Sequence, residues 1–500
     1  MMGIKEEQKK LFSYSVDLDK RLPSEHPLRK IREHIDFNFV RAGVKDSYGY
    51  NGNESVDPAI IMKMMFLLFY DNIASERELM RTIPYRLDYL WFLGYGLDDE
   101  VPGHSVLSKA RRRWGLEVFE QLFVRVVGQC VEAGLVGGDK IHMDASLVRA
   151  NASKDSVIKG NEEFIASIRE AYQSQVRKLD ETEDLARGRK YHATINDKAM
   201  STTDPDAALV NKDGESCLRY KNHRAVDDAQ GVITAVISTP GSVKENGQLM
   251  DLVEQHKRNT GREVSAVVAD RQYGTAENFR NCQELGIQTH MGDMLEAQEA
   301  ISSRQGIYPE SEFEYDAKED CYRCPAGAVL HRRNHRVARK ADEYAASSKV
   351  CRQCHLRTRC TRATTFGRSI KRHFGHELIQ QGRDQSRSSA AQRDRRRRKW
   401  LMEGNFADAA NNHGFKRARW RRLWNQKIQD FMIAAVQNIR ILLRNLERPL
   451  QTDVSAEIVT ISRVIFNVLT YIGRVWRETC SRIEQSMKIT CGSTIHVWSW

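Results

Sequence analysis

The segment KIHMDASLVRANA, residues 140–152, constrains the fold of this chain most, because it places an acid inside a half-buried strand. Apolar and polar residues alternate along it at the two-residue period of a β-strand. Asp144 occupies one of the polar positions, and desolvating a carboxylate is costly unless water, a partner or a metal ion compensates. An outward-facing aspartate on an edge strand is the alternative, so Asp144 needs further acids beside it to indicate chemistry.

A second segment, EVSAVVAD at residues 263–270, also ends in an acid. Its nearly continuous apolar run predicts a short strand that is covered on both faces. Asp270 follows at the carboxyl end of that strand, where sites collect in open α/β sheets. Two acids on two strands of one sheet can converge within reach of shared metal ions, although strand ends also carry structural aspartates.

The first 120 residues are predicted to be mostly helical, in a 500-residue chain that is long enough for two or three domains. Asp57 before Pro58 and Ser75 before Glu78 are helix-start signals. A basic helix in GHSVLSKARRRWG, residues 103–115, follows these short helices. The order fits either a helix-turn-helix reader of DNA or an ordinary helical bundle with a charged surface helix. The candidate DNA contacts on the basic helix are Lys109, Arg111, Arg112 and Arg113.

The net charge of +12 and the pI near 9.1 favour a polyanionic partner, with nucleic acid as the first candidate. Cations are densest in residues 391–400 and 413–424, where aromatic residues lie among them. Cations for phosphates beside aromatic faces for bases suit a nucleic-acid channel, and a solvated basic helix is the alternative. The candidate contacts to the DNA backbone are Arg395, Arg396, Arg397, Arg398, Lys399, Lys416, Arg417, Arg419, Arg421 and Arg422.

Five of the ten cysteines lie between residues 321 and 360. Two CxxC pairs in this segment match the spacing of a structural zinc site, with Cys321, Cys324, Cys351 and Cys354 as its predicted ligands. Such an ion would close a small ribbon that cannot build a core of its own. The ligand set stays open, because Cys360, His331, His335 and His355 are further candidates. Free cysteines in a loop and a redox pair are the alternatives.

Other chemistries lack their motifs: the sequence contains no GxxxxGK[ST] loop, no HExxH and no GxSxG. Apolar runs are too short for a membrane span. The N-terminus, MMGIKEEQKKLF, lacks the pattern of a signal peptide. We therefore expect a cytoplasmic protein with no membrane partner, and with reduced cysteines.

Several motifs follow one another in a characteristic order. MDAS at 143–146 and ADRQYG at 269–274 are followed by the cysteine-bearing segment and by KWLMEGNFADAANNHGFKRARWRRLW at 399–424. A helical region that ends in PGHSVLSKARRRW precedes them all. Over roughly residues 15–447, this order resembles that of the DDE-type insertion-sequence transposases. The resemblance implies an α/β fold: an RNase H-like mixed-sheet core with an all-helical N-terminal domain and a small cysteine-rich insertion.

The resemblance also implies a domain organisation. The predicted parts are a helical DNA-binding domain at 1–120, the first part of the catalytic core at 137–310 with a charged helical arm at 153–200, a zinc-ribbon-like insertion at 311–370, a basic segment with the C-terminal helices of the core at 371–447, and a helical tail of unknown role at 448–500.

Three catalytic carboxylates are implied by the same resemblance. Asp144 and Asp270 would be the first two, and the third would be a glutamate on a helix after the sheet. Glu403 in WLMEGNF is our candidate, with Glu377 in FGHELI as the alternative. Together these acids would hold two Mg²⁺ (or Mn²⁺) ions about 3.5–4 Å apart, which stabilise the attacking and leaving oxygens of a phosphodiester.

The activity implied by the resemblance is cut-and-paste DNA transposition, in which transposon ends are cleaved and the freed 3′-OH is joined to target DNA. A homodimer on paired terminal inverted repeats and a place at the bacterial nucleoid are implied with it. Two alternatives remain. One is a zinc-containing DNA-binding regulator with structural acids, and the other is a metal-dependent nuclease or decayed transposase that lacks strand transfer.

Overall fold

The computed structural model describes residues 16–48, 55–179, 196 and 198–446. Contacts divide the chain into two compact units, residues 1–443 and 444–500. The predicted tail at 448–500 lies outside the described residues, as does part of the predicted arm at 153–200. None of the helices in the described ranges has the length and apolar character needed to cross a bilayer.

The N-terminal region is helical, as predicted. Asp57 accepts a hydrogen bond from the Ala59 N–H and Ser75 accepts one from the Glu78 N–H, so both predicted helix starts are capped. The helices are α1 Leu18–Arg21, α2 Pro27–His34, α3 Phe39–Val44, α4 Pro58–Tyr70, α5 Glu76–Thr82, α6 Leu87–Leu93, α7 Ser105–Trp114 and α8 Glu117–Glu132. Because α4 is apolar nearly all round, it is buried among the others.

A mixed sheet follows the helices. Its strands and the small β2–β3 pair beside it are β1 Lys140–Arg149, β2 Val157–Lys159, β3 Ala199–Ser201, β4 Ala208–Lys212, β5 Glu215–Asp227, β6 Ile233–Pro240, β7 Ala266–Val268 and β8 Gln288–His290. The order in the sheet is β4-β5-β1-β7-β8, with β6 also paired to β5. Strand β1 runs antiparallel to β5 and parallel to β7, and β7 runs parallel to β8. Four further helices belong to this part: α9 Glu162–Leu179, α10 Leu249–Thr260, α11 Ala276–Glu284 and α12 Met294–Arg304.

The cysteine-bearing insertion forms its own antiparallel sheet. Its strands are β9 Glu314–Asp316, β10 Cys321–Arg323, β11 Val329–Arg336, β12 Ala341–Ala345 and β13 Ser369–His373, with the short helices α13 Ser348–Arg352 and α14 Arg357–Cys360 between the last two. Phe313, Tyr322, Leu330, Tyr344 and Ile370 pack together between them. The insertion therefore has a small apolar core, and our expectation that it could not build one is wrong.

Three helices follow the insertion: α15 His376–Arg387, α16 Ser389–His413 and α17 Leu423–Leu446. Helix α16 crosses the sheet, where Asp394 pairs with Lys140 of β1 at 3.1 Å and with His290 of β8 at 2.7 Å.

Two apolar cores hold the sheet. One joins Ile141 and Met143 to α10 and α11. The other joins the N-terminal helices to α16 and α17, for example through the Phe123 and Phe431 rings at 5.7 Å. The predicted N-terminal and catalytic regions thus share one core.

Candidate active site

The register of two parallel strands brings Asp144 and Asp270 together. Strand β7 pairs with β1 only from Lys140 to His142, and His142 lies opposite Val268. Each aspartate comes two residues after that last pair, Asp144 within β1 and Asp270 just beyond β7. Because parallel strands run in one direction, both carboxylates reach the same edge of the sheet.

A third carboxylate joins them from a loop. Glu245 lies in a single turn of 3₁₀ helix, Glu245–Gln248, which connects β6 to α10. The carboxylates of Asp144, Glu245 and Asp270 each offer an oxygen, and these oxygens all lie within 4.8 Å of one another. We call these three residues the acid cluster. Glu245 was missed by our sequence analysis, because its surroundings, SVKENGQLM, have neither strand periodicity nor a motif.

Two cations flank the acid cluster. Arg398 of α16 approaches Asp144 with an Nη1–Oδ2 distance of 2.9 Å, and Lys221 of β5 approaches Glu245 with an Nζ–Oε1 distance of 3.3 Å. Burial raises the pKa of Asp144. The charge of Arg398 acts to lower this pKa, and the charge of Asp270 acts to raise it further. Burial also raises the pKa of Glu245, against the effect of Lys221. Three acids beside two cations leave excess negative charge in a half-buried site, an environment that favours bound cations.

The predicted third carboxylate lies elsewhere on the surface. Glu403 is an exposed residue of α16 and is not part of the acid cluster. It follows Arg398 by five positions, so the two side chains leave the helix about 140° apart. The alternative, Glu377, is 74% exposed on α15 and pairs with Arg372 at 2.7 Å. The structure thus brings together Asp144 and Asp270 with Glu245, and leaves Glu403 apart from them.

Some of the predicted DNA-binding cations are engaged within the protein. Arg397 pairs with Asp228, Arg395 donates to the Ser386 carbonyl at 2.6 Å, and Arg419 donates to the Ile73 carbonyl. The exposed candidates are Arg396, Lys399, Lys416, Arg417, Arg421, Lys109, Arg112 and Arg113, whereas Arg422 is half-buried.

Arg111 is not the exposed DNA contact that the sequence predicted. Its side chain is buried, pairs with Glu76 and stacks over the Trp420 ring at 3.8 Å. This arrangement uses its charge to join α5 and α7 to the segment before α17 instead of presenting it to solvent. The surface of α7 therefore offers Lys109, Arg112 and Arg113.

The exposed Lys416 contacts β1 close in sequence to Asp144. Its Nζ donates to the Ser146 Oγ at 2.7 Å. Ser146 comes two residues after Asp144 on β1, so both side chains leave the strand on the same face. A phosphate near the acid cluster would therefore be within reach of the Lys416 ammonium group.

The cysteines that lie together in the structure differ from the predicted zinc ligands by one residue. Cys324, Cys351, Cys354 and Cys360 line one cavity of about 330 Å³, together with His355. Cys321 is instead buried within β10 and does not line that cavity. Burial raises the pKa of the Cys360 thiol, and so do the neighbouring thiols of Cys324, Cys351 and Cys354. In the described ranges the acid cluster alone has its ligand atoms within 4.8 Å, so zinc would have to draw these sulfurs closer together.

Two stretches of the chain match models of known families. Residues 16–113 match a model described as Transposase domain (DUF772), and residues 323–443 match one described as Transposase DDE domain. Both matches support an insertion-sequence DDE transposase. No curated protein matches it. Glu403 lies in the second matched stretch, whereas the acid cluster lies between the two.

The two family matches account for the fold and the site in general terms. The DDE domain implies an RNase H-like core, and the mixed sheet with a helical N-terminal region agrees with the predicted fold class. It also suggests a nucleic-acid-cleaving enzyme that uses divalent metal ions and binds DNA. The acid cluster is the natural candidate for the centre of this transposase.

Proposed function

We propose that this transposase excises a mobile DNA element by cleaving at its terminal inverted repeats and then joins the freed 3′-OH to target DNA. The observation that carries the proposal is the convergence of Asp144 and Asp270, from two parallel strands, into a cluster whose carboxylate oxygens lie within 4.8 Å. Carboxylates can serve this reaction without a covalent enzyme intermediate, because they act by holding metal ions at the phosphate.

The donor set fits Mg²⁺ or Mn²⁺. Both are hard cations that prefer oxygen ligands and need few carboxylates, since they keep several waters. When bound, such ions would lower the pKa of an attacking water and stabilise the charge that gathers on the phosphate. Asp144 and Asp270 would hold the ions. Glu403 remains our candidate for the helix glutamate that the resemblance implies, and it would have to approach the cluster when DNA binds.

The remaining side chains would position the DNA. Lys416 would contact a backbone phosphate beside Ser146, because its ammonium group is held by Ser146, two residues after Asp144 on the same face of β1. The exposed cations Arg396 and Lys399 lie on α16, the helix that also brings Arg398 to Asp144. A homodimer would pair two transposon ends, and the protein would act on DNA of the bacterial nucleoid.

A structural zinc ion belongs to the same proposal. Thiolates in a four-coordinate arrangement suit Zn²⁺, and four cysteine side chains line one cavity of the insertion. We assign Cys324, Cys351 and Cys354 to this ion. The fourth ligand would be Cys360, which shares the cavity, in place of Cys321 in our sequence-based prediction.

The test is a cleavage and joining assay on DNA that carries the inverted repeats bracketing the gene. The wild-type protein with Mg²⁺ or Mn²⁺ should cut these ends and join a pre-cut end to a plasmid. Asp144→Asn, Asp270→Asn and Glu403→Gln should still bind the ends but should neither cut nor join. Glu120→Gln, which alters an acid on α8 that pairs with Arg258 at 3.6 Å, is the matched control.

Each contrary result has a specific meaning. If both aspartate variants cut DNA as well as the wild type does, the acids are structural and the proposed chemistry is refuted. If ends are cut but a pre-cut end is never joined, the protein is a nuclease and strand transfer is refuted. If the three acid variants fail to bind DNA as well, they have lost their fold instead of their chemistry, which thermal unfolding of the same samples would show.

A further inference from the structure

We propose that Glu245 is a ligand of the metal site and that the Tyr273 hydroxyl donates a hydrogen bond to the water or phosphate oxygen held there. This inference rests on the proposed function, since it concerns the same site. It adds two residues that lie outside the stretches matching the transposase domains.

The first observation is that the backbone around Glu245 is held from two sides. Lys221 of β5 donates to the Val243 carbonyl at 2.9 Å, and Asn278 of α11 donates to the Asn246 carbonyl at 2.9 Å. Glu245 lies between these two anchored carbonyl groups, in a turn that leads directly into α10. Its carboxylate is thus directed to the acid cluster by the fold, which is what a metal ligand requires.

The second observation is a buried hydroxyl that has no partner. Tyr273 is fully buried, and its hydroxyl finds no hydrogen-bond partner in the described part of the chain. Tyr273 ends the short 3₁₀ turn Arg271–Tyr273 that directly follows Asp270, and this turn contacts the Glu245–Gln248 turn. Burial raises the pKa of Tyr273, and so do the charges of Glu245, Asp144 and Asp270. Buried hydroxyl groups are normally satisfied, and leaving one unpaired is unfavourable. A bound water or phosphate oxygen at the cluster would supply the missing acceptor.

The third observation is the distribution of charge. Asp144 has Arg398 and Glu245 has Lys221. The Asp270 carboxylate pairs with no cation among the described residues and accepts a hydrogen bond from the Gln272 backbone N–H alone. The acid cluster therefore lacks one positive charge. A divalent cation bound among the three carboxylates would more than offset this remaining negative charge.

The experiment measures Mn²⁺ binding to the full chain without DNA, from the electron paramagnetic resonance signal of free Mn²⁺ in a MnCl₂ titration. Replacing a residue that hydrogen-bonds to a metal ligand typically lowers metal affinity 10–100-fold, and replacing a ligand itself should have at least as large an effect. We therefore expect Glu245→Gln to lower the Mn²⁺ affinity at least about tenfold. Tyr273→Phe should lower it by less, and Glu120→Gln should leave it unchanged.

Glu245→Asp guards against a trivial loss of fold. It keeps the carboxylate but moves it back by one methylene, so its Mn²⁺ affinity should lie between those of the wild type and Glu245→Gln. As a second measurement, Fe²⁺ with ascorbate and peroxide should cut the wild-type backbone near residues 144, 245 and 270, because hydroxyl radicals form at the bound ion. The cut near residue 245 tests the role of Glu245 in the wild-type protein, so loss of fold in a variant cannot affect the result.

The outcomes separate this inference from the proposed function. Wild-type Mn²⁺ affinity in Glu245→Gln, together with no iron-directed cut near residue 245, would overturn the role of Glu245. Unchanged affinity in Tyr273→Phe would overturn the role of the hydroxyl. Binding that depends on Glu245 in a protein that never cuts DNA would support the site and refute the proposed reaction. A wild-type protein that binds no Mn²⁺ would refute both.

Discussion

Replacing Arg398 by methionine should destabilise the metal-free transposase and, at the same time, strengthen its binding of Mn²⁺. Arg398 and Asp144 approach to 2.9 Å, and their side chains are 14% and 26% exposed. At that separation the attraction is about 6 kcal/mol for an effective dielectric constant of about 20. Desolvation offsets much of this attraction, and water reaches the freed carboxylate, so we expect a net loss of about 2–3 kcal/mol.

The assay for this loss is thermal unfolding of the full chain in EDTA. An unfolding entropy of about 2.1 cal/mol/K per residue, applied to the 443-residue unit, converts the loss to a fall of about 2–3 °C in Tm. Saturating Mn²⁺ should raise the Tm of Arg398→Met by more than it raises that of the wild type. The reason is that the guanidinium no longer competes with the ion for Asp144, and at a fixed concentration a ligand stabilises more when it binds more tightly.

Two comparisons make the reasoning refutable. Arg396→Met changes an exposed arginine on the same helix and should leave the Tm unchanged. In an Asp144→Asn background, the Arg398→Met change should cost little, because the carboxylate it serves is gone. Equal Tm losses with and without the Asp144 carboxylate would show that Arg398 stabilises the fold in some other way. A lower Mn²⁺ affinity in Arg398→Met would show that the guanidinium supports the ion and does not compete with it.

Three further predictions concern other parts of the chain. Arg111→Met should cost about 3–5 kcal/mol of stability, because it leaves the largely buried Glu76 carboxylate without its partner. Arg112→Met should leave the Tm unchanged. Equal Tm values for the two variants would contradict the structural role of Arg111 and leave it as a DNA-binding candidate. Lys416→Ala should weaken DNA binding at all sequences and reduce the salt slope by about 1, which filter binding at several salt concentrations would check; an unchanged slope would contradict the phosphate contact. The zinc content measured by atomic absorption should fall more in Cys360→Ser than in Cys321→Ser. The reverse order would favour Cys321 as the fourth ligand, as the sequence predicted.

Much of this structure follows from local patterns in the sequence. The capped helix starts at Asp57 and Ser75, the alternating strand around Asp144 and the apolar strand before Asp270 all depend on neighbouring residues. Such signals are readable because helix caps and strand periodicity involve short separations along the chain. The convergence of the two aspartates was predictable as well, since it requires only that two strand ends meet at one sheet edge.

The tertiary structure alone decided which other groups join them. Glu245 is 101 residues after Asp144 (245 − 144) and has no pattern of its own, so only the strand order and the anchored β6–α10 turn bring it to the cluster. Arg111 is buried although its neighbours in the same basic run are exposed, because the side of α7 it occupies faces Glu76 and Trp420. The local sequence determines which residues could serve in a site. Packing between distant segments of the chain determines which of these residues become buried and which come into contact.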